Sequence, residues 1–373
     1  MKRLSSAIFL AVLLSLFTTP ALAASIKIGL MCPLTGAWAS EGQDMRNVVS
    51  LIVEEINTSG GINGNRIELV VADDGGQPGT AALAARKLVT SNVVAVIGTY
   101  GSAVTEASQR IYDEAEIVQI GTGSTSVRLT ENGMKYFFRT SPRDDDQGRV
   151  AAERLLANGY QRIAILHDNS SYAKGLADET RAFLRENGKD TIFFEALTPG
   201  DLDYSTILTK LKAANPDIVF FTGYYQEVGL LLRQKKDMGF DVPFMGGDAT
   251  NNQDLVKIAG TSAATGYTFI SPPVPQDLDG SSARGFLAAY TDKHDSYPSS
   301  IWAVLAGDAL QVIVEAMRQT DKYDSAAIAA YLHNELKEFN GLTGPISFDK
   351  KGDRIGDIYR VYEVSADGSF VMK

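Results

Sequence analysis

Ten short, continuous apolar runs alternate with segments of helical period along most of this chain, and that alternation restricts the fold more than any other feature. The runs cover residues 26–31, 67–72, 93–97, 117–120, 136–139, 162–166, 191–194, 217–221, 242–245 and 266–270. Most do not alternate apolar with polar, so they suit strands of a parallel sheet covered on both faces. Within residues 41–57, Met45, Val48, Val49, Ile52, Val53 and Ile56 recur at i, i+3, i+4 spacing, which is one buried stripe of a helix. Gly60-Gly61 ends that helix. In residues 203–215 the stripe is Ile207, Leu208 and Leu211, and Asn215-Pro216 stops it. Repeated strand–helix units give open α/β sheets.

Two breaks divide the pattern. Thr140-Ser141-Pro142 with Asp144-Asp145-Asp146 separates two sets of units, and Ser271-Pro272-Pro273-Val274-Pro275 separates the second set from a more helical tail. Near Gly344-Pro345 and Lys351-Gly352 the tail returns to β character, with residues 358–364 as the last strand. A length of 373 residues suits two domains. The natural reading is two lobes with several crossings, and the prolines in those crossings restrict motion to a defined hinge.

The N-terminus differs in kind. Lys2 and Arg3 precede an apolar run over 7–17 and the small-residue site Ala21-Leu22-Ala23, the pattern of a secretory signal peptide cleaved after Ala23 or one residue later. That run is too short to span a bilayer, and no later stretch is long and apolar enough. Cys32 is the only cysteine, so no internal disulfide forms, and Met31 before it argues against lipid attachment. The net charge of −10, which becomes −12 without Lys2 and Arg3, and the lack of a basic run argue against nucleic acid as a partner. His167, His294 and His333 are far apart and have no metal-ligand spacing. Neither a Gly-x-Ser-x-Gly elbow nor a Gly-x-Gly-x-x-Gly dinucleotide loop is present. No catalytic residue, metal or cofactor is therefore expected. His167 beside Asp168 is the one candidate base, and it reads as a loop residue satisfied by hydrogen bonds.

Ligands of open α/β sheets bind beyond the carboxyl ends of the strands. In the first set those ends lead to Pro33–Trp38, to Gly98-Thr99-Tyr100-Gly101-Ser102 and to Gly121-Thr122-Gly123-Ser124-Thr125. Glycines and hydroxyls next to helix starts suit a carboxylate. In the second set they lead to His167–Tyr172, to Thr222-Gly223-Tyr224-Tyr225 and to Gly246-Gly247-Asp248-Ala249-Thr250. Tyrosines and an acid suit an ammonium and an apolar body. Together they describe a receptor for a zwitterion, although singly Ser102 and Thr125 also read as helix caps and the tyrosines as packing.

Several segments resemble the periplasmic leucine/isoleucine/valine-binding protein family, the type I solute-binding proteins of ABC transporters. They are Ile28-Gly29-Leu30 through Pro33-Leu34-Thr35-Gly36, Asn57–Gly64 with Gly60-Gly61-Ile62-Asn63-Gly64, Asp73-Asp74, Ile111-Tyr112, Asp146-Gln147-Gly148, Arg162–Asp168 with Tyr172 after it, residues 340–349, and Lys351-Gly352-Asp353. The Gly-Gly-Ile-x-Gly turn followed by Asp-Asp is the most specific of them. The resemblance implies two Rossmann-like lobes with parallel sheets joined by a three-crossing hinge. Lobe 1 would be 24–142 plus 273–350, and lobe 2 would be 143–272 plus 351–373. It implies that Ser102 and Thr125 hold a ligand carboxylate, that the Gly123 carbonyl and Asp248 hold its ammonium, and that Tyr172 and Tyr224 come from the second lobe. Trp38, Tyr100 and Trp302 are the further pocket candidates.

The sequence departs from the family at four places. Asp248 stands where the family has Glu. A pocket aromatic is replaced near Ser300 or Ile301, and another near Glu41. Gly76 and Gly101 occupy the two positions of a disulfide common among relatives. The implied function is a monomeric periplasmic binding protein that delivers an amino acid, neutral or branched-chain, to an ABC-transporter permease. An amide or aromatic acid is the alternative ligand, and a sensor component or an exported enzyme the alternative class. Asp248 favours a cationic group, because an unpaired buried acid is costly.

Overall fold

The computed structural model describes residues 25–373, so the expected signal peptide over 1–23 lies outside the described residues. In chain order the strands are β1 (Ser25–Cys32), β2 (Arg66–Asp73), β3 (Ala95–Ile97), β4 (Val118–Gly121), β5 (Phe137–Arg139), β6 (Ile163–His167), β7 (Phe193–Ala196), β8 (Ile218–Thr222), β9 (Phe244–Gly246), β10 (Thr268–Ser271), β11 (Phe339–Gly341), β12 (Gly344–Ile346), β13 (Arg360–Val364) and β14 (Phe370–Met372). The first sheet has the order β2-β1-β3-β4-β5 and is parallel throughout. The second has the order β14-β13-β10-β9-β8-β6-β7, with β10, β9, β8, β6 and β7 parallel and β13 and β14 antiparallel additions. β11 and β12 form a separate antiparallel pair.

Each of the ten apolar runs overlaps one of the first ten strands. Continuous apolarity has its physical reason here: every residue of β6 and β8 is buried, because helices cover both faces of the sheet. Strand β7 lies at the edge and is only half-buried. The ladder is sometimes shorter than the run. Val94 precedes β3, yet its N–H already donates to Lys27 O at 2.9 Å.

The helix Ala39–Thr58 buries Met45, Val48, Val49 and Ile52 and packs on the helix Ile301–Thr320. It ends where Gly60 and Gly61 take positive φ. The helix Ser205–Ala214 ends at Asn215, which adopts the left-handed conformation (φ 49°). Among the described residues, no helix is long and apolar enough to cross a membrane.

The tail departs from expectation. β13 is not the last strand, since a turn around Asp367 folds the chain back into β14. Asp367 Oδ1 accepts from Ser369 N at 2.9 Å within that turn. β14 is a three-residue, largely exposed edge strand, and so leaves no apolar run in the sequence.

The segments joining the sheets are locked by charge. Arg139, at the end of β5, is fully buried, and its Nε lies 2.5 Å from Asp353 Oδ1. Arg143 Nη1 holds the other carboxylate oxygen at 2.5 Å, and Thr130 Oγ1 donates to it at 2.8 Å. The backbone joins in, with Arg139 N donating to Gly352 O at 2.9 Å. The chain after β10 is tied down separately by Val274 N, which donates to Tyr362 Oη at 3.1 Å. Burial alone would raise the Asp353 carboxyl, but the two guanidiniums outweigh it and hold it below the usual range.

Candidate ligand-binding cleft

The carboxyl ends of strands from both sheets converge on one cleft. On the first sheet, β3 leads to Tyr100 and then to Ser102, the first residue of the helix Ser102–Glu114. Ser102 is buried, and its Oγ accepts from Ser126 N at 3.2 Å. β4 leads to Gly123 and to the buried Thr125, whose hydroxyl lies near the Asp144 carboxylate. Gly123 lies against Tyr100: a Cβ there would fall 2.6 Å from Tyr100 Cδ2 and 2.9 Å from its carbonyl oxygen. The expectation of a helix start after both loops holds only for the first. Gly121–Thr125 runs into a short 3-10 turn, Val127–Leu129, instead. Buried Arg139 replaces a helix in fixing this loop, with Nη1 donating to Ser126 O at 2.8 Å.

The second sheet brings charge. β9 leads to Asp248, which is 1% exposed. Its Oδ2 accepts from Tyr359 Oη at 3.2 Å, whereas Oδ1 has no partner. Its backbone N–H donates to Gln147 Oε1 at 3.4 Å, and Ala249 N donates to Tyr172 Oη at 3.3 Å. Burial pushes the carboxyl up to about 7. Tyr172, Gln147 and Tyr359 lie close enough to oppose that rise, although only Tyr359 has the geometry of a hydrogen bond to the carboxylate. A second acid stands beside it. Asp144 is fully buried with both carboxylate oxygens unpartnered, and its N–H donates to Thr125 O at 3.0 Å. Burial and then the charge of Asp248 raise it well above the carboxylate range, against the opposing pull of the Thr125 hydroxyl and the Arg139 guanidinium. Neither acid forms an ion pair among the described residues.

Aromatic rings from both sides bridge the two halves. Tyr172 and Tyr224 have centroids 5.5 Å apart, Tyr224 and Trp38 4.4 Å, Trp38 and Tyr100 5.4 Å, and Tyr100 and Trp302 6.2 Å. All nine residues named from the sequence thus fall in one neighbourhood. Trp38 explains the two glycines at the family's disulfide positions. A Cβ on Gly76 or on Gly101 would each lie 2.8 Å from its indole ring, so the ring fills the space that two cysteines would need. Trp302 lies just beyond Ser300 and Ile301, where a family aromatic is expected to be replaced. It faces Tyr100, while Ser300 Oγ donates to Glu41.

The cleft is closed. Ser40 Oγ and Tyr225 Oη are 3.0 Å apart, Tyr225 Oη and Gln226 Nε2 both donate to Ala37 O, and Asn252 Nδ2 donates to Glu41 Oε1 at 2.6 Å. At the opposite rim, Arg128 Nη2 donates to Ser171 Oγ at 2.7 Å.

Sequence reasoning did not single out Asp144, Gln147, Asn252 or Tyr359 for the site, and it met Glu41 and Ser300 only as places where an aromatic is replaced. His167 is buried, with Nδ1 accepting from Asn169 N at 3.0 Å, and burial lowers its pKa. Among the described residues, no group of three or more His, Cys, Asp or Glu is placed to hold a metal ion.

Known proteins resemble this chain in sequence and fold. The sequence model of a family described as periplasmic binding protein matches residues 25–369. The leucine-, isoleucine-, valine-, threonine-, and alanine-binding protein of Pseudomonas aeruginosa is 33% identical over 367 residues, covering 98% of this chain and 96% of that one. The Leu/Ile/Val-binding protein of Escherichia coli K12 is 33% identical over 354 residues, covering 95% and 94%. Among solved structures, the branched-chain amino acid transporter substrate binding protein LivJ from Streptococcus pneumoniae, in complex with isoleucine, is 30% identical. It superposes with a TM-score of 0.85 and covers 94% of this chain and 100% of its own.

Proposed function

The chain belongs to the periplasmic binding protein family, and on that footing we propose that it carries an amino acid through the periplasm to the permease of an ABC transporter. One observation supports this most. The second sheet brings Asp248, a buried acid whose Oδ1 has no partner among the described residues, and the first brings the buried hydroxyls of Ser102 and Thr125. A ligand carrying an ammonium and a carboxylate offers a partner to each.

The residues divide the work. Residues 24–142 plus 273–350 form the lobe on which the ligand first docks. There its carboxylate meets Ser102, Thr125 and the backbone N–H groups at the start of the helix Ser102–Glu114. Its ammonium meets the Gly123 carbonyl. Residues 143–272 plus 351–373 form the lobe that then closes, bringing Asp248 to the ammonium and Tyr172 and Tyr224 over the ligand. Trp38, Tyr100 and Trp302 surround the side chain. The closed form, with Ala37 and Ser40 held by Tyr225 and Gln226, is the surface a permease reads. The protein acts as a monomer after signal-peptide removal, and binds without catalysing a reaction. The names of the relatives support an amino acid over an aromatic acid.

Isothermal titration of the mature protein, unfolded and refolded to strip carried-over ligand, tests the reading. Saturable binding of a few L-amino acids is expected. Micromolar affinity would correspond to about 8 kcal/mol. Failure of every common amino acid to bind would refute the proposal and leave the family assignment intact.

A further inference from the structure

The side-chain end of the cleft is polar. Glu41 sits in the first turn of the helix Ala39–Thr58 and is 0% exposed. Its carboxylate receives one hydrogen bond from Asn252 Nδ2, at 2.6 Å, and one from Ser300 Oγ. A carboxylate has about four acceptor sites, so about half of its capacity remains. It forms no ion pair among the described residues, and its charged neighbours are Asp44 and Asp254, both acids. Burial raises it to about 7. Two more polar groups in this neighbourhood are unsatisfied. Tyr100, whose ionisation is opposed first by burial and then by the Glu41 charge, has a buried hydroxyl without a partner. Trp302 follows Ser300 by two residues and faces the Tyr100 ring, and its buried indole N–H has no acceptor.

A hydrocarbon side chain would leave the Tyr100 hydroxyl and the Trp302 N–H orphaned and the buried Glu41 carboxylate with half its acceptor capacity unused, and orphaned buried polar groups are rare because each costs the desolvation it suffered. A cationic side chain would answer Glu41 but offer no acceptor to the Trp302 N–H. A carboxamide answers both, since its NH2 donates and its oxygen accepts. We propose that Glu41 and Trp302, with Tyr100, form a subsite for an uncharged ligand side chain ending in a carboxamide, and that Glu41 is a specificity-determining residue of this protein. The proposal rests on the amino-acid reading above and deepens it. Trp38 and Tyr224 flank the methylene stem of such a side chain, and the Glu41–Asn252 bond, which joins the two sides of the cleft, couples its recognition to closure.

The test is calorimetry on ligand-stripped protein with glutamine, asparagine, leucine, isoleucine, valine and lysine, repeated on Glu41→Gln, Glu41→Leu and Trp302→Phe. The wild type is expected to bind glutamine or asparagine about a hundredfold more tightly than leucine, because a site built to hydrogen-bond a polar group rejects the analogue lacking it. Glu41→Leu should collapse or invert that ratio. Glu41→Gln preserves shape and guards against a folding defect in the leucine variant; it should weaken amide binding about tenfold more than leucine binding. Trp302→Phe should weaken the amides more than leucine. Tighter binding of leucine, isoleucine or valine by the wild type would overturn the proposal while leaving the amino-acid reading in place. Tighter binding of lysine would overturn the uncharged class, and an amide-to-leucine ratio unmoved by Glu41→Gln would remove Glu41 from recognition. If no amino acid binds, both readings fall together.

Discussion

Two buried charge clusters lie close together in this molecule and are built on opposite principles. Where the sheets are joined, Asp353 is held by Arg139 and Arg143, and nearly every polar atom there has a partner. In the cleft, Asp248 and Asp144 are as deeply buried but have no counter-ion, and three of their four carboxylate oxygens are unpartnered. The first cluster is complete without help and so serves the structure. The second is costly as it stands, and a positive charge from outside would complete it. Equal burial thus marks a brace in one place and a binding site in the other.

The same substitution in each cluster gives the sharpest contrast. Asp353→Asn leaves a buried guanidinium without its charge and should cost about 3–5 kcal/mol of stability in urea unfolding. Asp248→Asn should leave ligand-free stability unchanged or raised, since it removes an uncompensated buried carboxylate. It should weaken amino-acid binding by about 2–5 kcal/mol in calorimetry. If both substitutions destabilise the ligand-free protein alike, the distinction between brace and site is lost.

Acidity separates the clusters next. Asp353 titrates below its unfolded value, so its stabilisation is present above pH of about 4 and is lost as pH falls through its lowered pKa. Asp248 is raised to about 7, so its contribution has the opposite sign. It is present below pH of about 4 and disappears as pH rises from there towards 7. A ligand ammonium favours the ionised carboxylate. Binding near neutrality should therefore release a proton, and affinity should rise by up to about tenfold per pH unit below 7. Titrations in buffers of different ionisation enthalpy check this. A pH-independent affinity between 5 and 8 would mean that Asp248 does not meet the ammonium.

The smallest effects belong to the neutral side of the cleft. Ser102→Ala and Thr125→Ala should each weaken binding by about 0.5–1.5 kcal/mol, the usual range for one neutral hydrogen bond. If neither changes affinity, the carboxylate lies elsewhere.

The strands were legible in the sequence because covered parallel strands are continuously apolar, as β6 and β8 are. β14 was not, because a short exposed edge needs no apolar run. Eight of the nine site candidates could be named because they follow strand ends, where such sheets place ligands, whereas Trp302, in the helix Ile301–Thr320, rests on the family resemblance alone. Tyr359 and Asn252 were not. Tyr359 reaches Asp248 from a segment 111 positions away, and Asn252 reaches Glu41 across 211. Asp144 and Glu41 look in sequence like ordinary acids in first helical turns. Only the packing of both lobes makes them buried and uncompensated.

The most direct test of the central claim compares the tightest-binding amino acid with its deaminated carboxylic acid in the same calorimetric titration. The two ligands differ only at the ammonium. If Asp248 and Asp144 await that charge, the amino acid should bind about a hundredfold or more tightly than the deaminated acid, in line with the loss expected when a buried charged partner is left unpaired. Equal affinities would contradict the account, because the buried acids would then be unpaired for a reason other than binding an ammonium.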